Sequence, residues 1–225
     1  MADELIEIPL FPLNLVLFPG MVQPLHIFEP RYREMTRRCL DTDGSFGIAL
    51  TLPESELEHE QPARFGSIAR IADYQRLPDG RYNLIAVGAH RFEIVELLHG
   101  KSYLRAMARL LPEVIGEGDI ASVMQEARNL LDDYLGLLLS IMEGGEKSIT
   151  VPKDAIELSY FIAVCLPCDD QVKLRLLEAS TAVERLTHER ELLRREIAAI
   201  SAQILNDSGR DDCADASSND PDTFN

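Results

Sequence analysis

The hydrophobic period of this chain changes once, near residue 119, and that change limits what it can fold into. Before it, apolar residues recur at every second position. Leu104, Ala106, Ala108 and Leu110 alternate with Tyr103, Arg105, Met107 and Arg109, as on a strand with one face buried. After it, they recur every third or fourth position, as on amphipathic helices. A chain of 225 residues with this pattern holds one large domain or two modest ones, with strands first and helices after.

Within the first part, Leu5, Ile6 and Ile8 open a strand that runs into the turn-rich Pro9-Leu10-Phe11-Pro12-Leu13-Asn14. A β-branched run from Gly66 to Leu77 closes on Pro78-Asp79-Gly80, a strong turn signal. The chain returns through Tyr82–Val87 and again through Phe92–Leu97. One helix interrupts the strands, from Pro30 to Leu40, with proline in its first turn. Strands at this spacing without interleaved helices predict an antiparallel barrel.

The second part predicts helices over 120–142, 154–166 and 170–205, with Asp154 and Asp170 as N-caps of the last two. Val172, Ala179, Leu186, Leu193 and Ile200 are seven apart, and so are Leu176, Val183, Arg190, Ile197 and Ile204. Such a seam packs the last helix on its neighbours or pairs it with a second copy, so a monomer or a weak homodimer through this helix is expected. After Asn206 the Asp-, Ser- and Asn-rich composition predicts a disordered acidic tail, and Glu54 to Glu60 predicts a solvated acidic loop. The expected division is therefore 1–118 for the barrel, 119–206 for the helical bundle and 207–225 for the tail.

Charge narrows the partners. The net charge is −16, with 17 acidic against 12 basic residues up to 118, 15 against 9 to 206, and 6 against 1 beyond. No part is basic, so nucleic acid and anionic membrane are poor partners. The apolar stretch Leu10–Leu25 is broken by Pro12, Pro19, Gly20 and Pro24, and the N-terminus has no basic region. Neither a signal peptide nor a membrane span is expected, which places the protein in the cytoplasm. Four cysteines, Cys39, Cys165, Cys168 and Cys213, suit reduced thiols.

Three segments resemble catalytic motifs and fail on context. Gly144-Gly145-Glu146-Lys147-Ser148 lacks the earlier glycine and the leading strand of a phosphate loop. Pro152-Lys153-Asp154 begins like the stretch around a protease serine but continues as a helix start. Cys165-Leu166-Pro167-Cys168 ends one helix and precedes another, whereas a redox pair needs its first thiol at a helix N-terminus. A zinc site would need two further ligands, and His26, His59, His90, His99 and His188 show no ligand spacing. No catalytic residue, metal or cofactor is expected.

The positive signal lies in Ile8-Pro9-Leu10-Phe11-Pro12-Leu13-Asn14 and in Phe18-Pro19-Gly20-Met21-Val22-Gln23-Pro24-Leu25-His26-Ile27-Phe28-Glu29-Pro30-Arg31-Tyr32. It continues in order through Phe46-Gly47, Gly66-Ser67-Ile68-Ala69, Asp79-Gly80-Arg81 and Gly88-Ala89-His90-Arg91-Phe92, then Leu174 to Glu178 and Glu184-Arg185-Leu186. Over residues 6 to 205 the chain resembles the N-terminal substrate-binding domain of Lon proteases, here as a stand-alone member without ATPase or protease domain. The resemblance implies an α+β fold: a PUA-like antiparallel β-barrel followed by a helical bundle with one long final helix. It also implies a non-catalytic module that binds unfolded or exposed polypeptide segments, such as an adaptor or holdase. Phe28, Glu29, Arg31 and Tyr32 are the candidate binding residues. RNA binding is the alternative, because PUA-like barrels serve RNA elsewhere and Arg31, Arg33, Arg37 and Arg38 cluster on one short helix.

Overall fold

A computed structural model describes residues 5–52, 61–141 and 149–214. Six strands come first: β1 (Leu5–Leu13), β2 (Val22–Ile27), β3 (Ser45–Thr51), β4 (Pro62–Arg76), β5 (Tyr82–Leu98) and β6 (Arg105–Leu110). Helix α1 (Pro30–Leu40) lies between β2 and β3, and α2 (Ile120–Ile141), α3 (Ala155–Cys165), α4 (Asp170–Glu178) and α5 (Ala182–Ala214) follow the strands. The α+β class is as expected. The acidic loop 54–60, the glycine segment 144–148 and the last eleven residues lie outside the described residues.

The strand order is β2-β5-β4-β3-β1-β6, and β6 pairs again with β5. On one edge, β5 meets β2 over Tyr82–Val87 and then β6 over Phe92–Leu98, while β4 takes the other edge from Tyr82 to Glu93. Strands β4 and β6 thus share β5 only at Phe92 and Glu93, so the ring closes over a short stretch. One pairing departs from the antiparallel expectation. Leu10–Leu13 of β1 pair in parallel with Gly47–Leu50 of β3. A parallel pair needs a long crossover, and β2 with α1 supplies it, so the helix read as an interruption is the connection that permits this pairing. The two returns read at Tyr82–Val87 and Phe92–Leu97 are likewise one strand.

Phe92 shows why motif glycines stand where they do. A Cβ at Gly66 would meet the Ile48 carbonyl oxygen and the Phe92 ring, which also covers Gly47. The fully buried ring fills the space that three side chains would otherwise contest. It joins Ile8, Leu10, Ile68 and Ala106 in one core cluster. Tyr32, Met35 and Cys39 seat α1 on a second, around Phe11, Ile27, Phe46 and Leu84.

The expected helix 170–205 is two helices. Asp169, not Asp170, caps α4, accepting from the Val172 N–H at 2.8 Å. The chain leaves the helix at Ala179 (ψ 128°) and restarts at Ala182. Thr181 caps the new helix: its Oγ1 accepts from the Glu184 N–H at 3.1 Å, and the Glu184 carboxylate accepts from the Ser180 N–H, one residue before the cap, at 2.9 Å. The break frees the last carbonyls of α4, and Arg91 takes them. Its Nη1 donates to Leu177 O at 2.8 Å and Ala179 O at 2.6 Å, while Nε donates to Glu113 Oε1 at 3.1 Å. The first N–H groups of α5 donate back to Val114 O and Ile115 O, both at 2.9 Å. The α4 end of the break thus rests on Arg91 of β5, and the α5 end on the segment after β6.

By compactness the chain divides into Met1–Ile120 with Thr150–Arg185, and Ala121–Ile149 with Leu186–Asn225. Helices α3 and α4 thus group with the strands. In the second unit, Arg190, the polar position of the heptad, pairs with Glu126 of α2, as does Arg194. Leu186 and Leu193 are fully buried, and Ile197 is half-buried. Helix α5 runs to Ala214, into the stretch read as tail.

Replacing Arg91 by Met should cost about 3–5 kcal/mol in urea unfolding, because two buried carbonyls and Glu113 lose their charged donor. A loss below about 1 kcal/mol would show that the helix break is held without it.

Candidate functional site

Strand β2 has β5 as its only paired neighbour among the described residues. The Gly88 N–H donates to Met21 O at 2.9 Å, which fixes the parity: alternate residues from Met21 bond to β5, and the backbone groups of Val22, Pro24 and His26 turn away from it. This free edge is blunted. Pro24 has no N–H to offer, and the Gln23 side-chain amide donates to its carbonyl at 3.0 Å. Another strand would find a poor template here.

Side chains, by contrast, are plentiful on the outer face. Val22 is 57% exposed, Phe28 60%, and Ile85, the cross-strand partner of Pro24, 37%. His26 stacks against Phe28 with ring centroids 6.2 Å apart, completing a row Val22–Pro24–His26–Phe28 along the strand. A polar margin holds the histidine: its Nδ1 lies 2.7 Å from Asn83 Oδ1 and its Nε2 3.3 Å from Arg81 Nη1. Arg81 pairs with Asp79 at 2.6 Å. The Arg81 backbone N–H, then its side chain, hold the Asp79 carboxyl below its ordinary range. The result is an apolar strip with a polar rim, the anatomy of a binding surface.

The four residues singled out from sequence separate. Phe28 stands at the end of this strip, against His26. Glu29 and Arg31 are half-buried and bound to each other at 2.9 Å, with the Arg31 guanidinium 4.5 Å over the Tyr32 ring. Tyr32 itself is core, 3% exposed and 4.1 Å from the Phe11 ring, and it seats α1. Strand alternation decides this: Ile27 turns inward, which sends Phe28 outward. Val22, Pro24 and Ile85 escaped the sequence reading because their solvent face follows from the β2–β5 register alone.

Other places offer less. A cleft of about 330 Å³ lies over the gap where β1 changes partner, lined by the buried Ile8, Phe46 and Ile68, the exposed Leu110 and the charged Glu7, Asp43 and Arg70. No group of three His, Cys, Asp or Glu among the described residues could hold a metal ion. Cys165 ends α3, and burial pushes its thiol up, the opposite of what a redox thiolate requires. Burial and the nearby Asp43 push the Cys39 thiol up to about 12. No helix among the described residues is long and apolar enough to cross a membrane.

Comparison with known proteins gives this geometry a family. The model of the ATP-dependent protease La (LON) substrate-binding domain matches residues 7–195. The chain belongs to the LON substrate-binding domain family. It is 23% identical over 199 residues to a Lon protease of Cytophaga hutchinsonii, covering 84% of this chain and 24% of the relative. It is 27% identical over 218 residues to Lon protease 2 of Herpetosiphon aurantiacus, covering 90% and 25%. The chain thus spans about a quarter of the length of these relatives. Among solved structures it resembles a Lon N-terminal domain protein from Xanthomonas campestris (TM-score 0.63, 27% identity, 81% of this chain and 96% of that one). It shares the fold of the N-terminal domain of a Mycobacterium avium complex Lon protease (TM-score 0.64, 20% identity, 84% and 98%). The matched family model is that of a substrate-binding domain, and the β2–β5 face is one of the places where this LON domain exposes apolar side chains.

Because the raised value favours the neutral form below about pH 12, Cys39 should stay protonated at about pH 8. Iodoacetamide at that pH, read by peptide mass spectrometry, should leave Cys39 unmodified in the folded protein and label it in urea. Equal labelling in both conditions would show that α1 opens readily.

Proposed function

We propose that this LON domain is a non-catalytic capture module, an adaptor or holdase, that engages exposed apolar segments of non-native polypeptides on the β2–β5 face. The observation that carries the reading is the strip Val22–Pro24–His26–Phe28 with Ile85, apolar and solvent-facing on an edge whose backbone is blunted. A large exposed apolar row bordered by hydrogen-bonded polar groups is costly to leave bare and suits a partner. Recognition through side chains without added β-pairing tolerates many sequences, as a module for unfolded chains requires. The name of the matched family, a substrate-binding domain, supports the same class of ligand.

RNA is the weaker ligand. Of the four arginines in the α1 cluster, Arg31 pairs with Glu29 at 2.9 Å and Arg38 with Glu34 at 3.3 Å, which leaves no continuous basic stripe on a chain of net charge −16.

Anisotropy of a labelled, permanently unfolded polypeptide should report binding that weakens about tenfold for Phe28→Ser and further for Val22→Ser with Phe28→Ser. Leu5→Ser, an exposed residue of β1, should leave it unchanged. Equal affinity of the double variant and the parent would remove this face from the proposal. The protein alone should neither hydrolyse ATP nor degrade casein; turnover that survives purification and vanishes in a point mutant would contradict a non-catalytic module.

A further inference from the structure

Beside the apolar strip lies a basic pocket of about 300 Å³. Arg33 and Arg37 stand one turn apart on α1, and Arg76 reaches it from the end of β4. The sheet register sets it on the face of Ile27, opposite the strip, and the short connection from Phe28 to Pro30 joins the two. Arg76 is the partner of Tyr82, and Tyr82 is the partner of Ile27, the residue before Phe28. Pro30 and Tyr82 form its wall on that side.

Two features set these arginines apart. The first is that Arg33, Arg37 and Arg76 make no side-chain hydrogen bond or ion pair among the described residues, although the chain carries 38 acidic side chains. The one carboxylate in the wall, Glu34, is held elsewhere: it accepts from Ser102 Oγ at 2.7 Å and pairs with Arg38 at 3.3 Å. Asp79 lies within the field of Arg33 but is bound to Arg81. The second is that Arg33 lies against the turn. Gly80 has φ +83°, and a Cβ there would collide with Arg33 Nη2, so the glycine of Pro78-Asp79-Gly80 seats Arg33 against the backbone.

We propose that this pocket reads a carboxylate: the captured segments carry an Asp or Glu next to their apolar residues, with the carboxylate in the arginine pocket and the apolar neighbour on Phe28. Three guanidiniums around a concavity, feeling Glu34 and Asp79 only at a distance and bound directly to neither, match a single oxyanion, which their planar forks hold by charge-assisted hydrogen bonds. The overall charge of −16 repels a polyanion but costs little for one carboxylate bound at short range. The inference rests on the capture reading and adds substrate preference to it.

The test uses the full chain and two labelled peptides with the same apolar core, one flanked by three Glu and one by three Gln, at about 150 mM salt. The Glu peptide should bind about tenfold more tightly. Arg33→Gln with Arg76→Gln should abolish that preference while keeping the affinity for the Gln peptide within about twofold, and Phe28→Ser should weaken both peptides alike. Arg76→Gln alone, on an exposed strand end, should reduce the preference without touching the fold. Equal binding of both peptides, still lost in Phe28→Ser, overturns the carboxylate pocket and leaves the capture reading standing. Failure of both peptides to bind overturns both readings. Tighter binding of a phosphoserine peptide with no preference for Glu over Gln overturns the assignment to carboxylates.

Discussion

A buried guanidinium organises the first unit. Arg91 is 1% exposed, and an ion taken so far out of water is tolerated only where every donor finds an acceptor. Here the acceptors are Glu113, the Pro112 carbonyl and the last carbonyls of α4. Those carbonyls are also the negative end of a helix dipole, so the cation is stabilised by charge as well as by hydrogen bonds. Glu113 holds a second layer: it accepts from the Tyr160 hydroxyl at 2.6 Å and lies 4.0 Å from the fully buried Arg185. Arg185 covers the Tyr160 ring at 4.0 Å and donates to Ser159 Oγ at 2.8 Å. Burial, with this acceptor, lifts the Tyr160 hydroxyl above its ordinary range, so it remains a donor. Strand β5, the segment after β6, and helices α3, α4 and α5 thus meet at one ionic cluster. This explains why compactness groups α3 and α4 with the strands.

The same cluster separates what the sequence could tell from what it could not. Periodicity located α1 from Pro30 to Leu40, the turn at Pro78-Asp79-Gly80 and the Asp154 cap, because each is decided by a few neighbouring residues. The break at Ala179 was hidden by a seven-residue repeat that runs across it. Leu176 and Ala179 are buried on one side of the break and Leu186 and Leu193 on the other, so the pattern of burial survives although the helix does not. Thr181-Ala182-Val183-Glu184 was the signal for a new helix start, and the heptad outweighed it. The parallel β1–β3 pair escaped for another reason: strand neighbours are set by long-range crossovers, which local periodicity does not encode.

At the candidate site, motif residues gave the place but not the roles. Ile27, Phe28 and Tyr32 lie within six residues, yet two are core and one is surface. The difference follows from where the strand ends and the helix begins. Ile27 is the last inward residue of β2, Pro30 fixes the helix start, and Tyr32 falls on the helix face that meets Phe11. Phe28 lies in the short connection between two elements that both point their apolar residues inward. Its exposure is therefore imposed by its anchored neighbours, and it cannot fold into the core without unseating one of them.

That constraint bears on how the surface can work. Exposing a phenylalanine forgoes about 1.5–3 kcal/mol of burial, and Val22 and Ile85 add to the deficit. A chain under selection for stability alone would place polar residues at these positions, as it does at Asn83 on the same face. Yet the backbone beside them is protected: Pro24 removes the outward N–H, and Gln23 occupies its carbonyl. Apolar side chains are left open while backbone pairing is closed. Self-association of edge strands is thereby suppressed without masking the apolar row. A surface that must meet unfolded, strand-prone chains needs both properties together, since an open edge would convert capture into extension of the sheet.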